Sequence, residues 1–241
     1  MELTPADLHT HSTFSDGTTT LEQIAAIAGS AGMAVGVADH CGPGSFQLDS
    51  DERFRRYFEA VSRHPVYRSV ELDLGREINV SRENLKRCDY LIGGVHSLGG
   101  RDFFDGAQAW TDIPGLLDGI LAAIDEKARI FDFDILAHPG LLPASLRSRQ
   151  SALLDSRWDQ RLIGLALEHG FALEISSRWQ VPSAGTIRRA AAAGVTFALG
   201  SDAHRPEQVC RLDHSLSLAA ACGLTDADLF RPARQLAEKI A

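Results

Sequence analysis

Seven short apolar runs, set between longer stretches whose apolar residues recur with helical period, constrain this chain more than any other feature. The runs cover residues 6–8, 34–38, 70–78, 90–93, 135–137, 172–175 and 196–199. Such alternation is the pattern of repeated βα units and predicts an α/β fold with a parallel sheet. The helical stretches carry their own punctuation. Thr19 and Glu22 form a capping box ahead of Leu21, Ile24, Ala25 and Ala28, with Gly32 as the stop. One apolar stripe runs through Leu116, Leu117, Ile120, Leu121 and Ile124, and another through Leu154, Trp158, Leu162 and Leu165 to His169 and Gly170. Ser183 caps a helix over 187–193 that stops at Gly194, Pro206 opens the turn before a helix over 209–221, and 229–240 predicts a closing helix. The segment 42–51 reads as a surface loop. At 241 residues the chain is close to the roughly 250 of a (β/α) barrel, so residues 1–241 are expected to form a single domain.

Composition narrows the function classes. With 44% hydrophobic and 23% charged residues this is an ordinary globular sequence. No apolar run approaches the ~20 residues needed to cross a bilayer, and residues 1–5 lack a basic start and an apolar signal core, so a cytoplasmic location is the default expectation. Lys plus Arg is 24 and Asp plus Glu is 32, a formal charge of 24 − 32 = −8, which argues against nucleic-acid and anionic-membrane partners. A small anionic substrate stays open, because bound cations reverse the local field. Cys41, Cys88, Cys210 and Cys222 contain no C-x-x-C pair and are expected to be free thiols.

Ligand-competent residues follow the apolar runs at nearly every expected strand end. His9 and His11 leave the first, Asp39 and His40 the second, Glu77 closes the third and His96 follows the fourth. His138 follows the fifth, Glu174 lies in the sixth, and Asp202 and His204 follow the seventh. In a parallel barrel these ends share one rim, where active sites are built. Residues i and i+2 of an extended segment face the same way, so His9 with His11, and Asp202 with His204, can each grip one ion. Asp16 lies on the turn "SDG", where Gly17 lets the chain reverse toward the same rim. Imidazoles with bridging carboxylates suit zinc, iron, manganese or cobalt better than calcium.

Other polar residues have plainer expectations. His64, His169 and His214 read as surface or capping residues, and Asp7 and Asp39 as groups that orient neighbouring histidines or cap turns. Glu71 and Asp73 share parity with Glu77, so spacing alone does not choose among them. Glu174 reads equally as a ligand or as a buried acid supporting an arginine. Six of the nine histidines fall at strand ends, which structural roles alone do not explain.

The segments "DLHTHSTFSDG", "VADHC", "GREINV", "GGVHS", "ILAHPG" and "GSDAHRP" resemble, in order, the successive motifs of the PHP (polymerase and histidinol phosphatase) family, over residues 7–206. The resemblance implies a distorted seven-stranded (β/α)7 TIM-like barrel with three divalent transition metal ions, Zn, Fe or Mn. Carried onto this chain, His9, His11, Glu77 and Asp202 would hold one ion. Glu77 would bridge to a second on His96 and His138, and Asp16, His40 and His204 would hold the third. Asp16 stands where family members carry His or Asp.

The activity the resemblance implies is hydrolysis of a small phosphate monoester by a metal-bridging hydroxide, with Glu77, Asp202 and His204 closest to the chemistry. Asp202 or a metal-bound water would protonate the leaving alcohol. Arg178, Arg205 and Arg101 are the candidate clamps on phosphate oxygens. "FDILAHPGLL" and "GSDAHRPEQV" look most like the histidinol-phosphatase branch of histidine biosynthesis, whereas "LGREINV" departs from it after the glutamate. The alternatives are a phosphotyrosine-protein phosphatase, or a nuclease or nucleotide phosphoesterase of the same family, the nuclease requiring a basic track that the sequence does not display.

Overall fold

Seven parallel strands curl into a sheet whose first and last members nearly meet, in a computed structural model that describes residues 3–44 and 46–233. In chain order the strands are β1 (Ala6–Thr10), β2 (Ala34–Cys41), β3 (Tyr67–Asp73), β4 (Ile92–Gly94), β5 (Ser97–Leu98), β6 (Arg101–Asp102), β7 (Ile135–Leu136), β8 (Ala172–Ser176) and β9 (Phe197–Gly200). The helices are α1 (Leu21–Ala31), α2 (Asp51–Val61), α3 (Arg82–Leu85), α4 (Ile113–Phe131), α5 (Gln150–Leu153), α6 (Ser156–His169), α7 (Ala184–Ala192) and α8 (Asp213–Ala221). The sheet runs β1-β2-β3-β4-β7-β8-β9, and β5 and β6 form a separate antiparallel hairpin beside it. The gap between β9 and β1 is stitched by a parallel bridge from Thr10 to Ala203 and by His11 N–H donating to Ala203 O at 2.8 Å. Asp7 reinforces the seam, accepting from Ser201 N at 2.9 Å, Ser201 Oγ at 2.7 Å and Cys210 N at 2.8 Å. This is the distorted (β/α)7 TIM-like barrel expected from the sequence.

Strand alternation sorts the apolar residues into two layers. Val35, Val37, Val70, Leu72, Leu136, Leu173, Ile175, Phe197 and Leu199 pack outward against the helices. Ala6, Leu8, Ala38, Ile92, Ile135, Ala137, Ala172 and Ala198, mostly small, fill the inside with Tyr90. The inward positions above that plug carry polar groups: His40, Glu71 and Glu174 on the strands, and His96 two residues past β4. In β1 the switch needs an irregularity. Asp7 pairs with Val35 and Thr10 with Val37, so three steps along β1 match two along β2. That extra residue reverses which side chains face inward, so His9 and His11 point into the barrel although Ala6 and Leu8 also do.

Several boundaries differ from expectation. The capping box on α1 uses Thr20 and Gln23, one position beyond Thr19 and Glu22, while Gly32 ends the helix in the left-handed conformation as expected. After Pro206 there is only a tight turn, and α8 starts at Asp213. The closing helix expected over 229–240 lies mostly outside the described residues, and Leu229 itself bridges to Phe197. The third strand matters most. It starts at Tyr67, directly after the short turn that ends α2, and is finished by Asp73, whereas the sequence placed it over 70–78. Among the described residues no helix is long and apolar enough to cross a membrane.

Candidate metal centre

Because β3 ends at Asp73, the expected glutamate is displaced by six residues. Glu77 sits on the loop beyond the strand and is exposed, so it does not meet the histidines. Glu71 takes that place. It pairs in register with His40 of β2 and Ile92 of β4, and its side chain is 1% exposed. Gly94 makes this possible: a Cβ there would stand 2.2 Å from Glu71 Oε1 and 2.7 Å from His96 Cε1.

Around Glu71 the predicted residues gather into three groups. In the first, His9 Nε2 and His11 Nε2 are 3.0 Å apart, Asp202 Oδ1 is 3.1 Å from His11 Nε2, and Glu71 Oε2 lies 3.4 Å from His9 Nε2 and 3.7 Å from His11 Nε2. In the second, Glu71 Oε1 is 3.0 Å from His138 Nε2 and 3.2 Å from His96 Nε2, which are themselves 3.2 Å apart. In the third, Asp16 reaches His40 Nε2 at 3.5 Å and His204 Nε2 at 3.3 Å. Eight of the nine predicted ligands are brought together, and Glu71 completes the set.

This donor set fits metal ions better than internal hydrogen bonding. Ring nitrogens face one another in pairs at hydrogen-bond distance, and Glu71 Oε2 is fully buried without a hydrogen bond although His40 Nδ1 lies 2.9 Å away. Burial pushes the Glu71 carboxyl upward, but His96, His9 and His40 outweigh it and hold it well below the usual carboxylate range. Asp202 is treated alike: burial is overcome by the hydrogen bond from His11 and by the fields of the surrounding histidines. Burial, with His204 and His40 nearby, holds His11 well below the ordinary imidazole range, leaving it neutral with a lone pair. Ionised carboxylates and a neutral imidazole are the forms that bind transition metals.

A second layer of contacts orients these groups. Glu174 meets histidines and not an arginine: Oε1 pairs with His9 Nδ1 at 2.8 Å, and Oε2 accepts from His138 N at 2.5 Å. Gly200 leaves room for it, since a Cβ there would be 1.9 Å from Glu174 Oε1. Asp39 accepts from Ser12 N at 2.8 Å, Ser12 Oγ at 2.6 Å and Ser15 Oγ at 2.6 Å, tying down the loop that carries Asp16. His138 and Asp202 hold positive φ angles of 31° and 50°, a conformation uncommon outside glycine and often found where side chains must be aimed at a site. His169 has the plain structural role expected: it lies in the last turn of α6 and pairs with Asp125 of α4 at 2.7 Å.

Of the three arginines, only Arg178 reaches the cleft. Its Nη1 donates to Asp202 O at 3.1 Å and to His204 Nδ1 at 2.5 Å. Arg101 instead donates to Ala109 O and lies 3.9 Å over the Trp110 ring, and Arg205 is exposed outside the residues that line the cleft. The structure thus does not bring Arg101 and Arg205 to the expected phosphate clamp: Arg101 lies on β6 and is turned to Trp110. Sequence reasoning missed Trp179 and Phe104. Trp179 Nε1–H donates to Asp202 Oδ2 at 2.5 Å, and its ring lies 5.9 Å from that of Phe104, with Arg147 over both. The available signal was the position of Trp179, beside Arg178 just past a strand end.

Comparison with known proteins agrees with this geometry. The sequence pattern of the PHP domain matches residues 7–178. The chain belongs to the PHP domain family. The match spans His9 through His138 and stops short of Asp202 and His204, which the fold brings to the same rim. A Deinococcus radiodurans protein named "Probable histidinol-phosphatase" is 31% identical over 132 residues, 50% of this chain and 49% of its own. The chain thus spans about half the length of the curated relative it matches. The crystal structure of a "putative histidinol phosphatase" from Listeria monocytogenes is similar with a TM-score of 0.62 at 14% identity, covering 86% of this chain and 97% of the other. At that identity the likeness is one of fold.

Proposed function

We propose that this cleft hydrolyses a small phosphate monoester, in the manner of a histidinol phosphatase, with three divalent transition metal ions as cofactors. The observation that supports it most is the convergence of six histidines and three carboxylates into three groups that share or adjoin Glu71. His9, His11, Glu71 and Asp202 would hold one ion; Glu71, His96 and His138 a second; Asp16, His40 and His204 a third. Nitrogen and carboxylate donors suit zinc, iron or manganese. When bound, such ions act as Lewis acids on phosphoryl oxygens and lower the pKa of water.

The chain supplies orientation and charge. Arg178, on the turn after β8, presents a guanidinium to the same cleft and can add paired hydrogen bonds to a phosphate. Trp179 fixes Asp202 by the oxygen that faces away from His11. The low pKa of Asp202 suits a carboxylate that stays charged as a ligand, not one that donates a proton at neutral pH. Glu174 and Asp39 keep His9 and the Asp16 loop from wandering, so little reorganisation is needed once substrate arrives.

Elemental analysis of the purified protein, paired with a phosphate-release screen over histidinol phosphate, nucleotides, sugar phosphates and phosphotyrosine, tests the reading. Release from histidinol phosphate above the other esters, dependent on metal, is expected. Full metal loading with no release from any monoester would overturn it.

A further inference from the structure

The flank of the barrel away from the metal rim carries a basic groove that the cleft does not use. An open cavity of about 500 Å³ lies along α2 and the segment that leads from α3 into β4, lined by Arg55, Phe58, Glu59, Ser62, Arg63 and Arg87. In a βαβ unit the helix returns toward the starting ends of the strands, so the C-terminal half of α2 lies opposite the rim, as do Arg68 near the start of β3 and Arg87 ahead of β4. Three arginines against one glutamate leave 3 − 1 = +2 in this groove, on a chain whose formal charge is −8.

These cations are held in place and only partly neutralised. Phe58 is 6% exposed and carries two guanidiniums over its ring, Arg87 Cζ at 4.3 Å from the centroid and Arg68 Cζ at 5.0 Å. Arg68 is committed to Asp89, donating from Nε at 3.0 Å and from Nη2 at 2.6 Å. Arg87 is not: its Nη1 reaches the neutral Asn84 Oδ1 at 3.4 Å. Arg55 Nε donates to Asp51 O at 3.1 Å, while the Asp51 carboxylate accepts from Ser81 N at 2.7 Å. Arg63 pairs with Glu59 at 2.5 Å in full contact with solvent, where such a pair exchanges readily. Among the described residues, Arg55 and Arg87 are thus ion-paired to no carboxylate. Stacking on a ring steadies a guanidinium and leaves its N–H fork free, so little side-chain entropy is lost when a carboxylate arrives.

Footprint and charge select the ligand. Arg63 stands eight residues beyond Arg55, a rise of about 12 Å along a helix, which matches roughly four residues of extended chain. A single small anion meets one of these guanidiniums at a time, whereas an extended segment with successive carboxylates meets all three, each through a fork that fits two oxygens. A long polyanion such as nucleic acid overruns the groove onto a surface whose remaining charge is −8 − 2 = −10, and is repelled there.

We infer that this groove docks a short acidic segment, rich in aspartate or glutamate, of a partner protein. Binding here is separate from the chemistry of the cleft. Fluorescence anisotropy of a labelled peptide of six glutamates, titrated with the metal-loaded protein at low salt, tests it. Saturable binding is expected, falling as salt rises, weakened about two- to fivefold by Arg55→Ala or Arg87→Ala and about tenfold by the two together. Arg157→Ala, which removes an exposed arginine from α6, should leave the affinity unchanged. No saturable binding, binding unmoved by the double substitution, or an equal loss with Arg157→Ala would overturn the docking site. Tighter binding of a thymidine heptanucleotide, which carries the same six charges, through the same two arginines would overturn the acidic segment as its occupant.

Discussion

Replacing Glu71 by Gln, with Glu77→Gln as its companion, tests the centre at the position where sequence and structure disagree. The Glu71 carboxylate lies between 2.9 and 3.7 Å from nitrogens of five histidines and is 1% exposed. No water can replace the lost charge, and the amide offers an NH2 group, which does not ligate a metal, where the carboxylate offered a second oxygen. Removing one partner from a buried charged cluster costs about 3–5 kcal/mol, which corresponds to roughly 10²- to 10³-fold or more in an equilibrium or a rate. Because Glu71 belongs to two of the three groups and adjoins the third through His40, loss of more than one ion per chain is expected. The assay is metal content after dialysis together with phosphate release from an aryl phosphate. Glu71→Gln should lower both by that order, and Glu77→Gln should stay within about twofold of the parent, as surface substitutions generally do. A Glu77→Gln protein stripped of metal beside a normal Glu71→Gln protein would refute the reasoning.

Three further outcomes follow from particular contacts. Trp179→Phe keeps the ring but loses the hydrogen bond to Asp202, and competition against a chelator should show metal affinity about 10- to 100-fold weaker, the usual effect of removing a group that orients a ligand. Gly94→Ala drives a methyl into Glu71 Oε1 and His96, and should cost about 1–3 kcal/mol in a urea titration while lowering metal content; an unchanged metal content would argue that the carboxylate is free to move. Burial pushes the Cys41 thiol far above its ordinary range, so it has no appreciable thiolate at pH 8 and, being fully buried, should resist a disulfide reagent until denaturant is added.

Much of the site was legible because strand ends announce themselves. A run such as "ILAHPG" or "VADHC" passes from apolar to ligand-competent residues within one or two positions, and a parallel barrel forces such ends to one rim. His9 and His11 were legible for a second reason, the two-residue period of extended chain, whereas Asp202, with a φ of 50°, is not extended and joins a different group from His204. Glu71 was not legible. Glu71, Asp73 and Glu77 share parity, so only the length of β3 separates them, and that length is set by pairing with β2 and β4, which a single strand's sequence does not reveal. The run from Tyr67, after the turn that closes α2, and the Leu74–Gly75 break were the available signals. The inward aim of His9 depends on an extra residue in β1 that is visible only in the register against β2. Arg101 was misplaced for a related reason: the course of the short hairpin that carries it is decided by tertiary contacts, and its guanidinium lies over Trp110. Phe104 carries no pattern in sequence, and Trp179 only its place beside Arg178 past a strand end, since their roles come from loops of different strands meeting across the cleft.

The central claim is that these scattered residues form one polynuclear metal centre around Glu71. Anomalous diffraction from crystals of the metal-loaded protein tests it most directly. Three peaks are predicted: among His9, His11, Glu71 and Asp202; among Glu71, His96 and His138; and among Asp16, His40 and His204. A metal-replete crystal with no peak at these side chains, or with peaks only at Glu77 and the surface, would contradict it.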